Sequence, residues 1–184
     1  MARTESRMLP LGTLAPDFAL PDPAGRVWRL NDFAPTRALL VAFICNHCPY
    51  VVHVIDAFVA LSRQYLADGV RVVAISANDV ARYPQDAPDK MAEFARAHGF
   101  EFPYLYDESQ AVARAYEAAC TPDFYVFGAD MRLVYRGRMD GATPGNAVAV
   151  TGAELRAALD AVLDGRLPEP EQTASMGCNI KWKA

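Results

Sequence analysis

Residues 37–58, RALLVAFICNHCPYVVHVIDAF, join a strand pattern to a helix pattern through a pair of cysteines. The residues up to Ile44 form a continuous apolar run, which is typical of a strand buried on both faces. Beyond the cysteines, apolar residues recur at helical spacing, at Val51, Val54, Ile55 and Phe58. The stretch therefore predicts a buried strand that ends near Cys45 and a helix that begins near Pro49.

The rest of the chain alternates between strand and helix patterns. Apolar runs predict strands at 70–78 and 102–107, and strand pairs at 18–30 and 123–137. Helices are predicted at 50–69, 89–100, 108–119 and 151–165, the last with Thr151 and Glu154 as a capping box. This order predicts an α/β fold with a central mixed sheet flanked by helices, an N-terminal β-hairpin and an extended C-terminal tail.

Length and composition limit the class of protein. The 184 residues suit a single domain, 1–184, with a core at about 12–165 and a tail at 166–184. The net charge of -4 gives no basic footprint for nucleic acid. No segment has the roughly 18–20 apolar residues of a membrane span. The chain begins with Met1 and has no secretory signal, so we expect a complete, cytoplasmic protein.

The cysteine pair lies where a thiol is expected to be reactive. Structural disulfides are rare in the cytoplasm, so cysteines there indicate catalysis, redox sensing or metal binding. Cys45 should lie just before the helix and Cys48 at its first turn, where unpaired N–H groups and the helix dipole favour a thiolate. As a cation, His47 would also stabilise the thiolate and make the disulfide a stronger oxidant. The alternative for His47 is a solvated loop histidine.

Three interpretations of the pair remain open on the residues alone. A redox dithiol is the expected function of C-x-x-C beside a βαβ pattern. A zinc site would need two further ligands, and Cys120 and Cys178 are single and far apart in sequence, although His47 and His53 could contribute. The third interpretation is an inert pair of buried thiols. The redox dithiol is favoured, with no dedicated metal site.

The sequence resembles the alkyl hydroperoxide reductase/thiol-specific antioxidant branch of the thioredoxin superfamily, and within it a peroxiredoxin-like subgroup with a C-x-x-C motif. The resemblance covers Gly12 to Lys183. Its entry segment is GTLAPDFALPD at 12–22. The other segments are CNHCPYV, YPQDAP, FPYLYDESQ, CTPDF, YRGRMD and GCNIKWK. The resemblance implies a thioredoxin fold.

The resemblance also implies roles for individual residues. Cys45 would be the attacking thiol and Cys48 the resolving one. Pro122 would be a cis-proline lying against the pair, and Thr121 would offer backbone groups to a bound substrate. A typical peroxiredoxin, however, has threonine where Cys45 stands and proline where Val41 stands. It also has an arginine near this loop, whereas Arg136 and Arg138 lie on the next strand. These departures weaken a peroxidase function.

The two remaining cysteines are candidates for a second thiol pair. Cys120 is two residues before Pro122, and Ile180 and Trp182 could anchor the tail that carries Cys178. We hypothesise that Cys120 and Cys178 pair, or that one of them relays electrons to Cys45. The alternative is a structural Cys120 and an idle, exposed Cys178. Asp86 and Asp89 are interpreted as loop and cap residues.

The sequence therefore predicts a thiol–disulfide oxidoreductase that uses Cys45 and Cys48. The alternatives are a peroxiredoxin-like thiol peroxidase and a copper- or zinc-binding module. The expected partners are protein or small-molecule thiols and disulfides, with peroxide as the alternative substrate. No cofactor, nucleic acid or membrane partner is expected.

Overall fold

The structure, a computed structural model, describes residues 3–184. Its strands are, in chain order, β1 (Arg3–Glu5), β2 (Ala19–Pro21), β3 (Val27–Arg29), β4 (Ala38–Phe43), β5 (Val70–Ser76), β6 (Tyr104–Tyr106), β7 (Cys120–Thr121), β8 (Asp123–Gly128), β9 (Leu133–Gly137) and β10 (Met176–Asn179). Its α-helices are α1 (Pro49–Ala67), α2 (Pro88–His98), α3 (Ala111–Ala115) and α4 (Ala153–Leu163), and 3-10 turns span Leu30–Phe33 and Pro84–Asp86. None of the helices in this described part of the chain is long and apolar enough to cross a bilayer.

The central sheet has five strands in the order β6-β5-β4-β8-β9. Strand β4 pairs parallel with β5 and antiparallel with β8. A parallel half, β6-β5-β4, is thus joined to an antiparallel half, β8-β9. The predicted mixed sheet with its N-terminal hairpin, β2-β3, is confirmed. The central strand β4 carries the chain directly to the cysteine pair.

Alternate side chains of β4 pack into two separate hydrophobic cores. Leu40 and Ala42 pack in the cluster that contains the buried side chains of α1 and α4. Leu39, Val41 and Phe43 pack in the cluster that contains α3 and the N-terminal hairpin. Because successive side chains of a strand point to opposite faces, the unbroken apolar run fills both cores. Burial on both sides fixes the end of β4 and hence the position of the cysteine loop.

The C-terminal tail forms part of a second sheet. Strand β10 lies between β1 and β7 and is antiparallel to both. Ile180 is buried in the core beside α3, and Trp182 packs against it, so the two predicted anchors are confirmed. Gly177 makes the close strand approach possible, because a Cβ there would lie 2.7 Å from the carbonyl carbon of Thr121. The tail is therefore an integral part of the folded unit.

Helix α3 spans Ala111–Ala115 and is therefore shorter than the helix predicted at 108–119. The chain leaves the helix at Tyr116, whose ring is buried between Phe43 and Tyr125. Glu117 then adopts a left-handed conformation with φ of 52°. Tertiary burial of one aromatic ring outweighs the modest helix propensity of the surrounding alanines.

The predicted capping box at the start of α4 was wrong. Gly152 is the N-cap, in a left-handed conformation. The carboxylate of Asp140 accepts hydrogen bonds from the amides of Thr151 and Gly152 at 2.7 and 2.6 Å. Glu154 pairs instead with Arg138 at 2.7 Å. A residue outside the helix therefore accepts hydrogen bonds from the amide of the N-cap and from the amide before it.

Candidate functional site

Two cysteines frame the short loop between β4 and α1. Cys45 follows the end of β4, and Cys48 is the N-cap of α1, with Pro49 in the first helical position. Both thiols are free, and the two residues are 1% and 0% exposed. The structure thus has the strand-to-helix placement that the sequence predicted. Since the first N–H groups of a helix have no partner within the helix, this placement surrounds Cys48 with donors.

The loop before β8 lies directly against the two sulfurs. The Thr121–Pro122 peptide bond is cis, as the resemblance implied. The Thr121 hydroxyl lies 3.5 Å from Sγ of Cys45, and the Cys48 thiol donates to the Thr121 carbonyl at 3.2 Å. Thr121 therefore contacts both members of the pair.

The backbone edge of Thr121 is not open to a substrate, which corrects the expectation from the resemblance. Strand β10 occupies that edge, with Thr121 opposite Cys178 and Cys120 opposite Asn179. A substrate strand could pair there only after the tail is displaced, because β10 already pairs with that edge of β7. Pro122, by contrast, lines a cleft beside the loop.

The two thiols of the pair do not ionise equally. The Cys45 thiol donates to Cys48, and this hydrogen bond does most to lower the pKa of Cys48 to about 5. Further donors to the Cys48 sulfur are the Cys178 thiol, the Val51 amide and the Thr121 hydroxyl. The same bond, burial and the Asp86 carboxylate raise the pKa of Cys45. The Thr121 carbonyl accepts only from the protonated form of Cys48 and opposes its ionisation, but the donors outnumber it. These donors favour ionisation of Cys48 over that of Cys45.

The reduced protein should ionise one thiol far below its usual range. Ultraviolet absorbance of the thiolate should rise with a midpoint at about pH 5, because a depressed pKa leaves an acid charged at neutral pH. The measurement is a pH titration of the reduced protein, and the Cys48→Ser variant is the control that should lose this step. A single wild-type midpoint at about pH 8.5, the value of an unperturbed thiol, would contradict the assignment.

His47 faces a buried carboxylate. Its Nδ1 lies 2.7 Å from Oδ2 of Asp86, with the two side chains 15% and 0% exposed. The two atoms are close but poorly aligned for a hydrogen bond, and this Nδ1 makes no other hydrogen bond within residues 3–184. The imidazole also stacks on Tyr83, with ring centroids 5.6 Å apart. His47 is therefore not a solvated loop histidine, and a positive charge on it would act on Asp86 as well as on the thiolate.

Asp86 lies in the connection between β5 and α2, as predicted, but its side chain is fully buried and is the polar centre of the site. Its carboxylate accepts hydrogen bonds from the Asn46 amide at 2.9 Å and from the Asn78 side chain at 2.8 Å. Burial alone would raise the pKa of Asp86, but the nearby His47 and the hydrogen bonds from Asn78 and Asn46 hold it below its ordinary value. The available signal was its position in the loop after β5, because the carboxyl ends of parallel strands meet at one edge of a sheet.

The tail is hydrogen-bonded to this polar network. The Lys181 amide donates to the Asn78 side chain at 2.8 Å, and the Lys181 carbonyl accepts from the Asp79 amide at 2.8 Å. The Gln110 side chain also donates to the Lys181 carbonyl, at 2.9 Å. Residues of the loop after β5 thus hold the tail in place beside the cysteines.

The remaining cysteines lie on opposite faces of one strand pair, so the predicted pairing of Cys120 with Cys178 is corrected. Cys178 is opposite Thr121 and Cys120 is opposite Asn179, and neighbouring positions of a strand point to opposite faces. Cys178 is on the side of the C-x-x-C pair and is buried in the same cluster as Cys45 and Cys48. It is buried, not exposed as the alternative had it.

Cys120 has a different environment from Cys178. Its sulfur lies 4.0 Å from the Ser6 hydroxyl and 3.9 Å from the carbonyl oxygens of Pro122 and Ser175. Burial, followed by the nearby Asp123 carboxylate, raises its pKa well above the usual range. These contacts describe a packed, protonated thiol, in line with the structural role considered as an alternative for Cys120.

A cleft of about 480 Å³ opens beside the cysteine loop. Tyr50 of the first turn of α1, Pro122 and Met139 line it, together with the charged side chains of Arg3 and Arg138. Neither cysteine lines the cleft, but Pro122 of the cis-proline loop and Tyr50 of the first turn of α1 do.

The two arginines considered for a peroxidase are both engaged. Arg136 donates to the Leu9 carbonyl at 2.9 Å and to the Gln172 side chain at 2.8 Å. Arg138 forms its ion pair with Glu154 at the edge of the cleft. Neither guanidinium has the dithiol among these hydrogen-bonding and ionic partners.

The mixed sheet, the cis-proline loop and the cysteines at the strand–helix junction define a thioredoxin-like redox protein. Residues 11–136 match the AhpC/TSA family. The chain belongs to this family. It is also 30% identical over 115 residues to "Putative peroxiredoxin Rv2521" of Mycobacterium tuberculosis, an alignment that covers 62% of this chain and 68% of that protein.

Two solved structures are similar over almost their whole length. An uncharacterized conserved protein from Geobacillus kaustophilus is 51% identical with a TM-score of 0.97, covering 100% of this chain and 97% of that one. The hypothetical protein SMc02350 from Sinorhizobium meliloti 1021 is 49% identical with a TM-score of 0.97, covering 98% and 99%. These two proteins therefore share the whole architecture of this chain, including the C-terminal tail.

Proposed function

We propose that the protein is a thiol–disulfide oxidoreductase whose reactive groups are Cys45 and Cys48. The observation that carries the proposal is that two free thiols at the start of a helix both contact Thr121 of the cis-proline loop. The pKa of Cys48 is lowered and that of Cys45 is raised, so one thiol of the pair ionises more readily than the other. A thiolate beside a second thiol is the arrangement that disulfide exchange requires.

The proposed cycle begins with the proton that the two cysteines share. Both sulfurs are buried, and the proposal takes Cys45 as the attacking sulfur, the role that the family resemblance implies for it. Transfer of the Cys45 proton to Cys48 would make Cys45 the nucleophile. It would attack a substrate disulfide, and the leaving thiolate would take the proton from Cys48. The Cys48 thiolate would then attack the Cys45 sulfur and leave a Cys45–Cys48 disulfide, and the second substrate sulfur would depart as a thiolate that takes a proton from water.

Protein disulfides are the proposed substrates, and the cleft beside Pro122 is the proposed contact surface. The cleft combines apolar side chains with charges of both signs, including Arg138 and Asp140. Because both sulfurs are buried, the groups that cover them must move when a substrate binds. A cytoplasmic location is part of the proposal and rests on the sequence alone.

The test compares a disulfide substrate with peroxide. The reduced protein should reduce insulin disulfides catalytically when dithiothreitol supplies electrons, and it should consume hydrogen peroxide no faster than a free thiol. The Cys45→Ser variant is the control for both assays. Rapid, Cys45-dependent peroxide consumption without insulin reduction would replace the proposal with a thiol peroxidase, a function that the name of the mycobacterial relative favours.

A second candidate function, metal binding, is favoured by one observation. Single ligand atoms of Cys45, His47 and Asp86 lie within 4.8 Å of one another. Thiolate and imidazole together suit zinc or copper(I). Metal analysis of the reduced protein after incubation with zinc and gel filtration would test this candidate. One equivalent of zinc, lost in the His47→Ala and Asp86→Ala variants, would support it; no retained zinc would exclude it.

A further inference from the structure

We propose that Cys178 is a third redox-active cysteine and that it exchanges with Cys48 to form a Cys48–Cys178 disulfide. The inference rests on the proposed function, because the Cys45–Cys48 disulfide supplies the bond that is exchanged. It assigns to the C-terminal tail a chemical role in the site.

Strand pairing fixes the position of Cys178. The register that sets Cys178 opposite Thr121 directs its side chain to the same face as that of Thr121. Thr121 in turn contacts both Cys45 and Cys48. Cys178 is buried in the same cluster as Cys45 and Cys48, so it lies beside the pair. Cys178 is thus placed by the backbone and not by a mobile chain end.

The contacts of the tail hold Cys178 in place. β10 is paired on both sides, by β1 and by β7. Beyond it, Ile180 is buried and Lys181 is hydrogen-bonded to Asn78 and Asp79. A thiol fixed in this way meets Cys48 without the entropy loss of ordering a flexible segment.

The exchange conserves atoms and electrons. After a substrate disulfide has oxidised the pair, Cys178 loses its proton and attacks Sγ of Cys48. The Cys48–Cys178 bond forms as the Cys45–Cys48 bond breaks, and the departing Cys45 thiolate takes up the proton. The number of disulfides is unchanged, and the two electrons have already passed to the substrate.

The state of Cys48 controls when Cys178 can react. In the reduced protein, burial and the hydrogen bond to Cys48 raise the pKa of Cys178 to about 12, so it remains a thiol. Once Cys48 is part of a disulfide its negative charge is gone, and the repulsion that opposed ionisation of Cys178 is removed. The third cysteine is therefore expected to act only after the pair has been oxidised. The exchange returns Cys45 to the thiol form and places the disulfide between α1 and the tail.

The experiment maps disulfides after oxidation of the full-length protein with oxidised glutathione, acid quenching, alkylation and peptide mass analysis. In the Cys45→Ser variant, Cys48 and Cys178 should be joined in one disulfide, with the loss of two hydrogens and no alkylation of either. The wild type should contain both Cys45–Cys48 and Cys48–Cys178 bonds. The Cys120→Ala variant is the matched control, because Cys120 is buried on the opposite face, and its disulfide map should equal that of the wild type.

Two results would overturn the inference. One is a Cys45→Ser protein in which Cys48 carries glutathione while Cys178 is alkylated. The other is a wild-type protein with no Cys48–Cys178 bond at any degree of oxidation, a measurement that needs no substitution. The outcome is separable from that of the proposed function. Insulin reduction without a Cys48–Cys178 bond refutes only the inference, and the bond without insulin reduction refutes only the proposed function.

Discussion

Replacing Cys45 or Cys48 with serine is expected to reduce insulin-disulfide reduction by more than about 1,000-fold, the scale on which loss of a nucleophile acts. A hydroxyl cannot replace the thiolate, because thiol–disulfide exchange forms and breaks bonds between sulfur atoms. The two variants should fail at different steps. Cys45→Ser removes the attacking sulfur, whereas Cys48→Ser keeps it but removes the sulfur that resolves the mixed disulfide.

The measurement pairs turnover with intact-protein mass. Cys48→Ser should accumulate a mixed disulfide with a peptide substrate on Cys45, and Cys45→Ser should not form that adduct. The Cys120→Ala variant controls for removal of a buried thiol and should retain activity. If Cys48→Ser retained wild-type turnover, or if the peptide were bound through Cys48 in the wild type, the assignment of roles would be wrong.

Replacing Gly177 with alanine is expected to displace the C-terminal strand. The added Cβ would overlap the carbonyl oxygen of Thr121 and lie 2.7 Å from its carbonyl carbon. Both are backbone atoms held by the pairing of β7 with β10, so neither can rotate away. Overpacking of this kind costs about 1–3 kcal/mol, which in a domain of this size lowers Tm by roughly 2–12 °C.

The substitution should also change thiol chemistry. Because β10 carries Cys178 and covers the edge of Thr121, its displacement should increase the rate at which the reduced thiols react with a disulfide reagent by at least about tenfold, the change produced by about 1.4 kcal/mol. Gly141→Ala is the matched control. Gly141 also lacks a positive φ, and the nearest atom to a Cβ there is a side-chain carbon 3.7 Å away. Equal Tm and thiol reactivity in the two variants would show that the tail does not pack in this way.

The local pattern of the sequence was sufficient for the fold and for the cysteine pair. The apolar run at 38–44 must be buried on both faces, and the following helical pattern starts at the proline after Cys48. These are properties of neighbouring residues, so the strand, the helix and the position of the dithiol between them followed directly. Pro122 required more than a local pattern, because only the family resemblance indicated its cis bond.

The surroundings of the dithiol depended on contacts between residues that are distant in sequence. Asp86 looked like a loop residue because its partners, Asn46 and His47, precede it by about 40 positions. The length of α3 was overestimated because burial of Tyr116 is a tertiary effect. The predicted capping box of Thr151 and Glu154 is absent because the Asp140 carboxylate binds the amides of Thr151 and Gly152 instead. The local sequence gives no sign of this contact. In each case, the deciding interaction joins elements whose relative position the local pattern does not define.

The sequence by itself determined that this chain is an α/β protein with two cysteines at a strand–helix junction, because hydrophobic periodicity and helix-start signals are local. Only the tertiary structure decided which other groups meet those cysteines. It placed Asp86 within 2.7 Å of His47 and separated Cys120 from Cys178. The physical reason for the separation is the register of β10 with β7, since a shift of one residue would have turned Cys178 away from Cys48.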